Sequence, residues 1–258
     1  MNETSIGRYC SFYEIFIERK ELHNTYTSGS RKEFSLDFDI DLSKEFIKEH
    51  KLNMKYPRGS KYIVIATHDV DNIYPSLGII KYYVKKNPLK AMSYFIGRIR
   101  GSKHLFLNLN KIVELELNKG FKSSFYLLVS DRDVVPFYKS YYGDKKVYEE
   151  IGRIRDKVEF GLHTGYYSYD DLGLIIEEKK RVEELVGKRI YGVRNHYLNF
   201  KVPSTWRLLV SAGFLYDTTL GFNKGFGYWN KMCHPYIPYD PGRKEWISIW
   251  ELPLTIMD

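Results

Sequence analysis

From about residue 61 the chain alternates apolar runs with helix-period patterns, and it keeps this alternation to its end. The run "KYIVIAT" (61–67) is continuously apolar, as a strand buried on both faces of a parallel sheet would be. A helical pattern over 76–98 is interrupted at Pro88, because proline lacks an N–H and clashes with the preceding turn. "NLNKIVELELNKG" (108–120) reads as a helix closed by Gly120, and "FKSSFYLLV" (121–129) as the next strand. A helix over 147–157 precedes the strand "VEFGLH", which places His163 at its exit. The strongest helical pattern is 168–188, with Ser168 as its cap, Asp170 and Asp171 in the first turn and Gly187 as its stop. A strand at 189–194, a helix at 203–213, a strand at 214–219 and a late strand at 247–257 complete the series.

Residues 1–58 read as an N-terminal extension packed on a domain spanning 59–258. Within the extension, "SLDFDIDL" has the two-residue period of a half-buried strand, Ser43 caps a short helix through Phe46 and Ile47, and "YPRGS" forms a turn. Repeated strand–helix units predict an α/β fold, a parallel sheet or barrel with helices outside, and in both the functional groups gather at the C-terminal strand edge. Asp69 and Asp71 end the first such strand, His163 a later one, Arg194 the next and Asp217 another. Four polar strand ends on one rim point to a site.

At 258 residues the chain can bury a substantial core, and 43% hydrophobic with 16% aromatic residues excludes a disordered chain. The 23 tyrosines suit sugar binding, although most are expected in the core and on the surface generally. A net charge of +8 favours an anionic partner, yet the basic residues are spread out except in "KYYVKKNPLK" and "GRIRGSKH". That cluster reads as a solvated helix face, and without a nucleic-acid motif no nucleic-acid partner is expected. Cys10 and Cys233 are the only cysteines, which excludes a disulfide framework and a thiolate zinc site. With neither a signal pattern nor a membrane-spanning run, the chain as given reads as cytoplasmic, unless a leader or anchor was removed. Glutamine is absent, a weak sign of a thermophilic source.

The tip "THDVD" carries the chemistry. Strand alternation puts Asp69 and Asp71 on one side and His68 with Val70 on the other. Two neighbouring carboxylates repel unless a cation or a proton lies between them. A divalent metal on Asp71 would leave Asp69 as a base, and His163 would supply the nitrogen that favours zinc over magnesium. The same tip also fits the DxD of a nucleotide-sugar glycosyltransferase, or simply a hydrated strand end.

The ordered series "THDVD", "GLHTGYYS", "GVRNHY" and "LYDTTLG" resembles the motifs of the polysaccharide deacetylases, the NodB-type carbohydrate esterases, over residues 61–258. The resemblance implies a distorted (β/α) barrel of about seven strands. It implies Asp69 as general base and Asp71 and His163 as metal ligands, zinc being the expected cofactor. Where the family's H-S/T-x-x-H motif has a second histidine this chain has Tyr167, so Tyr167, Ser168, His196 or water is the expected third ligand. Arg194 corresponds to the arginine that holds the base, Tyr197 to the residue whose N–H binds the oxyanion, and Asp217 to the aspartate that tunes the acid. Met257 stands where the family's acid histidine belongs; methionine transfers no proton, which leaves His234 or His196 for that role. The implied activity is metal-dependent removal of acetyl groups from N-acetylated sugars, with Tyr166 and Trp229 available for stacking and Trp206, on a helix pattern, expected in the core. Two alternatives stand beside it: a catalytically altered, glycan-binding relative, and the glycosyltransferase, which explains neither Arg194 nor Asp217.

Overall fold

The computed structural model describes residues 63–223, 225–229 and 232–257. The expectations for the extension (1–58) lie outside these residues, as do the first two positions of the 61–67 run. The chain divides into two units, one formed by Ile65–Ser168 with Gly173–Ile190, while the other includes Tyr169–Leu172 and Tyr191–Asp258.

The first unit is built on three parallel strands: β1 (Ala66–Val70), β2 (Ser123–Leu128) and β3 (Glu159–Thr164). All six residues of β2 are buried, its two serines included, as befits a strand with a parallel neighbour on each side. Helices α1 (Leu77–Lys86) and α2 (Pro88–Arg100) separate where Pro88 predicted a break. Ser76 caps α1 by accepting from the Ile79 N–H at 3.3 Å, and Asn87 caps α2 by accepting from Lys90 N–H at 3.0 Å. Helix α3 (Leu109–Asn118) ends before Gly120, whose φ of 78° is the left-handed conformation that lets the chain leave the helix. Asp144 caps α4 (Lys145–Ile154), and α5 (Leu172–Val186) stops before Gly187.

The second unit holds three further parallel strands, β4 (Gly192–Asn195), β5 (Tyr216–Asp217) and β8 (Trp250–Glu251). It also contains α6 (Ser204–Ser211) and an antiparallel pair, β6 (Tyr239–Asp240) with β7 (Glu245–Trp246). The α/β class with parallel strands is therefore the observed one.

Several boundaries differ from the sequence expectation: the 214–219 strand shortens to Tyr216–Asp217, the 189–194 strand begins at Gly192, and three further differences have a physical reason. The 61–67 run does not form a doubly buried strand: Ile63, Val64 and Ile65 are 49%, 70% and 54% exposed, and pairing begins only where Ala66 meets Ser123. Ser168 is not the cap of α5, which starts at Leu172; its hydroxyl is spent on Glu178. The late strand shrinks to Trp250–Glu251, since Pro253 has no N–H to continue a ladder, although Leu252 N–H and Leu254 N–H still reach the carbonyls of Asp217 and Leu220 at 2.8 and 3.0 Å.

Tyrosines are prominent in the core of the first unit, where Tyr74, Tyr126 and Tyr141 are fully buried and the hydroxyls of Tyr74 and Tyr141 donate to Asp144 and to the Val70 carbonyl, each at 2.8 Å. Leu162, in the middle of β3, is equally inaccessible. Leu162→Ala should destabilise the protein by about 2–5 kcal/mol through lost burial and a residual cavity, read as a lower urea midpoint at unchanged slope.

Candidate active site

Parallel register brings together the candidates of the first unit. His68, Asp69 and Val70 pair with Phe125, Tyr126 and Leu127, and Leu128 in turn pairs with His163. Asp71, one position beyond β1, thus falls in the row of Leu128 and His163. Its Oδ1 lies 3.1 Å from His163 Nε2, with the imidazole buried and the carboxylate about half exposed. Two hydrogen bonds fix this tip. The Tyr141 hydroxyl donates to the Val70 carbonyl between the two aspartates, and the Tyr74 N–H donates to Asn72 Oδ1 at 2.8 Å, bending the chain just after Asp71. Burial, with Asp133 and Asp71 nearby, pushes the Tyr138 hydroxyl well above the usual tyrosine pKa, so it stays protonated beside the tip.

His68 lies on the other side of the strand, as alternation requires. Its ring stacks on Phe125 at 4.7 Å and its Nε2 meets Glu116 Oε1 at 2.7 Å.

The loop after β3 is braced by a buried carboxylate on α5. Glu178 accepts from Gly165 N–H at 2.9 Å and from the Ser168 hydroxyl at 2.7 Å. Burial raises its pKa against the opposing pull of these donors. A side chain at position 165 would put its Cβ 2.5 Å from Ser130 Oγ and 2.6 Å from Glu178 Oε1, which explains the glycine there. Of the third-ligand candidates on this loop, Ser168 is buried and engaged with Glu178, while Tyr167 is half exposed with its ring edge-on to Tyr166.

The second unit carries the remaining candidates. Arg194, at the end of β4, is buried and donates through Nε and Nη2 to the carbonyl and hydroxyl of Thr218, at 3.1 and 3.2 Å. The chain then enters a single 3₁₀ turn, His196–Leu198. Tyr197 and Leu198 both have left-handed backbones, with φ of 56° and 54°. Such conformations cost about 1–3 kcal/mol each in non-glycine residues and gather at functional sites. His196 is buried and Tyr197 exposed, with their rings 4.3 Å apart. His234 is buried, and its Nδ1 donates to the Pro235 carbonyl at 3.0 Å, so in the neutral ring Nε2 carries the lone pair. Trp206 is core, as expected.

Asp217 has a partner the sequence reading missed. Both Asp217 and Glu251 are fully buried and share a hydrogen bond. Asp217 also accepts from the Thr219 hydroxyl at 2.6 Å and the Thr219 N–H at 3.1 Å, while Glu251 accepts from Trp206 Nε1 at 2.8 Å and Leu220 N–H at 3.2 Å. Burial and the adjacent Asp217 push Glu251 well above its ordinary 4.5. Burial raises Asp217 as well, opposed by its donors and the Arg194 charge, and the hydrogen bond between the two carboxyls requires one proton shared by the pair. The signal in the sequence was one acid inside the apolar run "ISIWELPL".

A carboxyl whose folded pKa is raised contributes stability that is complete below its unfolded pKa and is lost as pH rises toward the folded one. The stability advantage of the native protein over Glu251→Gln should therefore shrink as pH rises from about 4.5, measured by thermal melts of both proteins across pH.

The chain matches no family sequence model and no curated protein. Among solved structures, a Mycobacterium smegmatis protein assigned to the polysaccharide deacetylases is 20% identical with a TM-score of 0.50, over 78% of this chain and 62% of its own. The chain thus spans 62% of that protein's length. IcaB from Ammonifex degensii (16% identity, TM-score 0.35, 61% of this chain and 84% of its own) is more distant. So is the Streptococcus pyogenes deacetylase PplD, solved with acetate (8% identity, TM-score 0.37, 87% and 84%). The first match is one of fold, and the fold of this chain is that of the polysaccharide deacetylases.

Proposed function

We propose that this protein is a metal-dependent deacetylase that releases acetate from N-acetylated sugars. The observation that carries the reading is the Asp71–His163 pair at the C-terminal strand edge. Its two atoms stand 3.1 Å apart, close to the about 3.3 Å that a tetrahedral ion imposes on ligands about 2.0–2.1 Å from it. A carboxylate and a buried imidazole fit zinc, and of the third-ligand candidates in the sequence we assign His196, which would make one oxygen and two nitrogen donors. When bound, the metal supplies Lewis acidity toward the acetamide oxygen and lowers the pKa of the attacking water.

The chain's own residues divide the remaining work. Asp69, on the same side of the strand as Asp71, takes the proton of the water, and Arg194 orients that carboxylate. The N–H of Tyr197, held in its left-handed turn, donates to the oxyanion as negative charge develops. His234 protonates the leaving sugar amine through Nε2, and Asp217 supports this proton transfer with Glu251 holding it in place. The strand-end motifs and the shared fold support this assignment; Tyr167 and Met257 mark where it departs from the family pattern. Among the described residues no helix is long and apolar enough to cross a membrane.

The test is acetate release from N-acetylglucosamine oligomers by the full chain, measured together with elemental metal content. Asp69→Asn should lower the rate by about 10²–10⁴-fold while metal stays bound, and His163→Ala should lose the metal. An unchanged rate in Asp69→Asn removes it as the base. Oligosaccharide binding without acetate release would favour the glycan-binding alternative.

A further inference from the structure

Between Ile73 and Val113 the chain has eight lysines and arginines and no aspartate or glutamate. That excess equals the entire net charge of +8, so the rest of the chain is balanced. The segment contains α1 and α2, which pack on each other. Helix α1 buries Ile80, and α2 buries Ala91, Gly97 and Arg98.

The opposite side of α2 is also apolar. Leu89, Met92, Ile96 and Ile99 are 85%, 58%, 41% and 48% exposed. Their spacing of three, four and three residues keeps them within about 80° of arc at about 100° per residue, turned away from Ala91 and Arg98. On α1, Tyr82 and Val84 add two more exposed apolar side chains. Exposed Arg100 falls about 20° from Leu89 at the edge of the stripe, while Lys86 Nζ lies 4.3 Å over the Tyr82 ring and Lys90 Nζ 4.2 Å over Tyr83, each also donating to the tyrosine hydroxyl. Their stems cover aromatic surface while their charges stay at its rim.

A stripe of this kind needs an apolar partner, and the surrounding cations need an anionic one. A second copy would bring the same cations against each other. An acidic polymer would meet the lysines but leave the stripe in water. An anionic lipid surface satisfies both, with acyl chains for the stripe and phosphates for the lysines. We propose that the α1–α2 hairpin docks this protein onto an anionic membrane surface. Helix α2 lies in the interface with Leu89, Met92, Ile96 and Ile99 toward the acyl chains. At 13 residues it is too short to cross.

The experiment is co-sedimentation of the full chain with phosphatidylcholine vesicles, with and without phosphatidylglycerol, at rising salt. The native protein should bind the anionic vesicles at least about tenfold more tightly than the neutral ones, and less tightly as salt increases. Leu89→Glu with Met92→Glu should lose about tenfold or more of that binding with an unchanged circular dichroism spectrum. Should this variant fail to fold, Lys85→Glu with Lys86→Glu, on an exposed turn, carries the test with the same expected loss. Absence of vesicle binding overturns the proposal, as does full binding by the folded Leu89/Met92 variant, which would mark a purely electrostatic polymer site. A dimer in sedimentation equilibrium that the Leu89/Met92 substitutions dissociate would assign the stripe to a second copy and also overturn it.

Discussion

Parallel pairing of β1, β2 and β3 is the constraint from which the Asp71–His163 pair follows. Val70 is level with Leu127 and Leu127 with Leu162, so the next row holds Asp71, Leu128 and His163. Two side chains 92 positions apart in sequence thereby meet at 3.1 Å. Because side chains alternate along a strand, a slip of one residue would turn His68 toward the site and both aspartates away. The buried Tyr141 hydroxyl on the Val70 carbonyl pins the strand at the residue between them.

Buried carboxyl groups hold the loops at these strand ends, and two different solutions make their burial tolerable. Glu178 is surrounded by donors, and in accepting from Gly165 and Ser168 it fixes the loop that leaves His163. Asp217 and Glu251 instead share a proton, so that two carboxyls occupy one dry site with one negative charge between them. In each case a polar group that would be costly alone becomes a tie between a helix or strand and the loop beside it.

The proposed metal ligands Asp71 and His163 and the proposed membrane hairpin belong to the same unit. Of the eight basic residues in the acid-free segment Ile73–Val113, six belong to that hairpin. A charge that looked like a weak general property is therefore concentrated in one segment, which also carries an apolar stripe that periodicity alone assigns to a second helix face.

The sequence by itself determined the order of the parallel strands and the helices between them, though not the β6–β7 pair. It also determined the break at Pro88, the stops at Gly120 and Gly187, and the side of the strand to which His68 turns. These follow from local rules: side-chain periodicity, proline's missing donor and glycine's access to left-handed backbone. The placement of His163, Arg194 and Asp217 at strand ends was legible for the same reason. Tertiary structure alone decided that β1 begins at Ala66, because a strand extends only where a partner offers hydrogen bonds. It took Ser168 from a helix cap to a buried partner of Glu178, and it joined Glu251 to Asp217. No local pattern contains such pairings, since the stability of a buried carboxyl depends on which distant donors the fold brings to it.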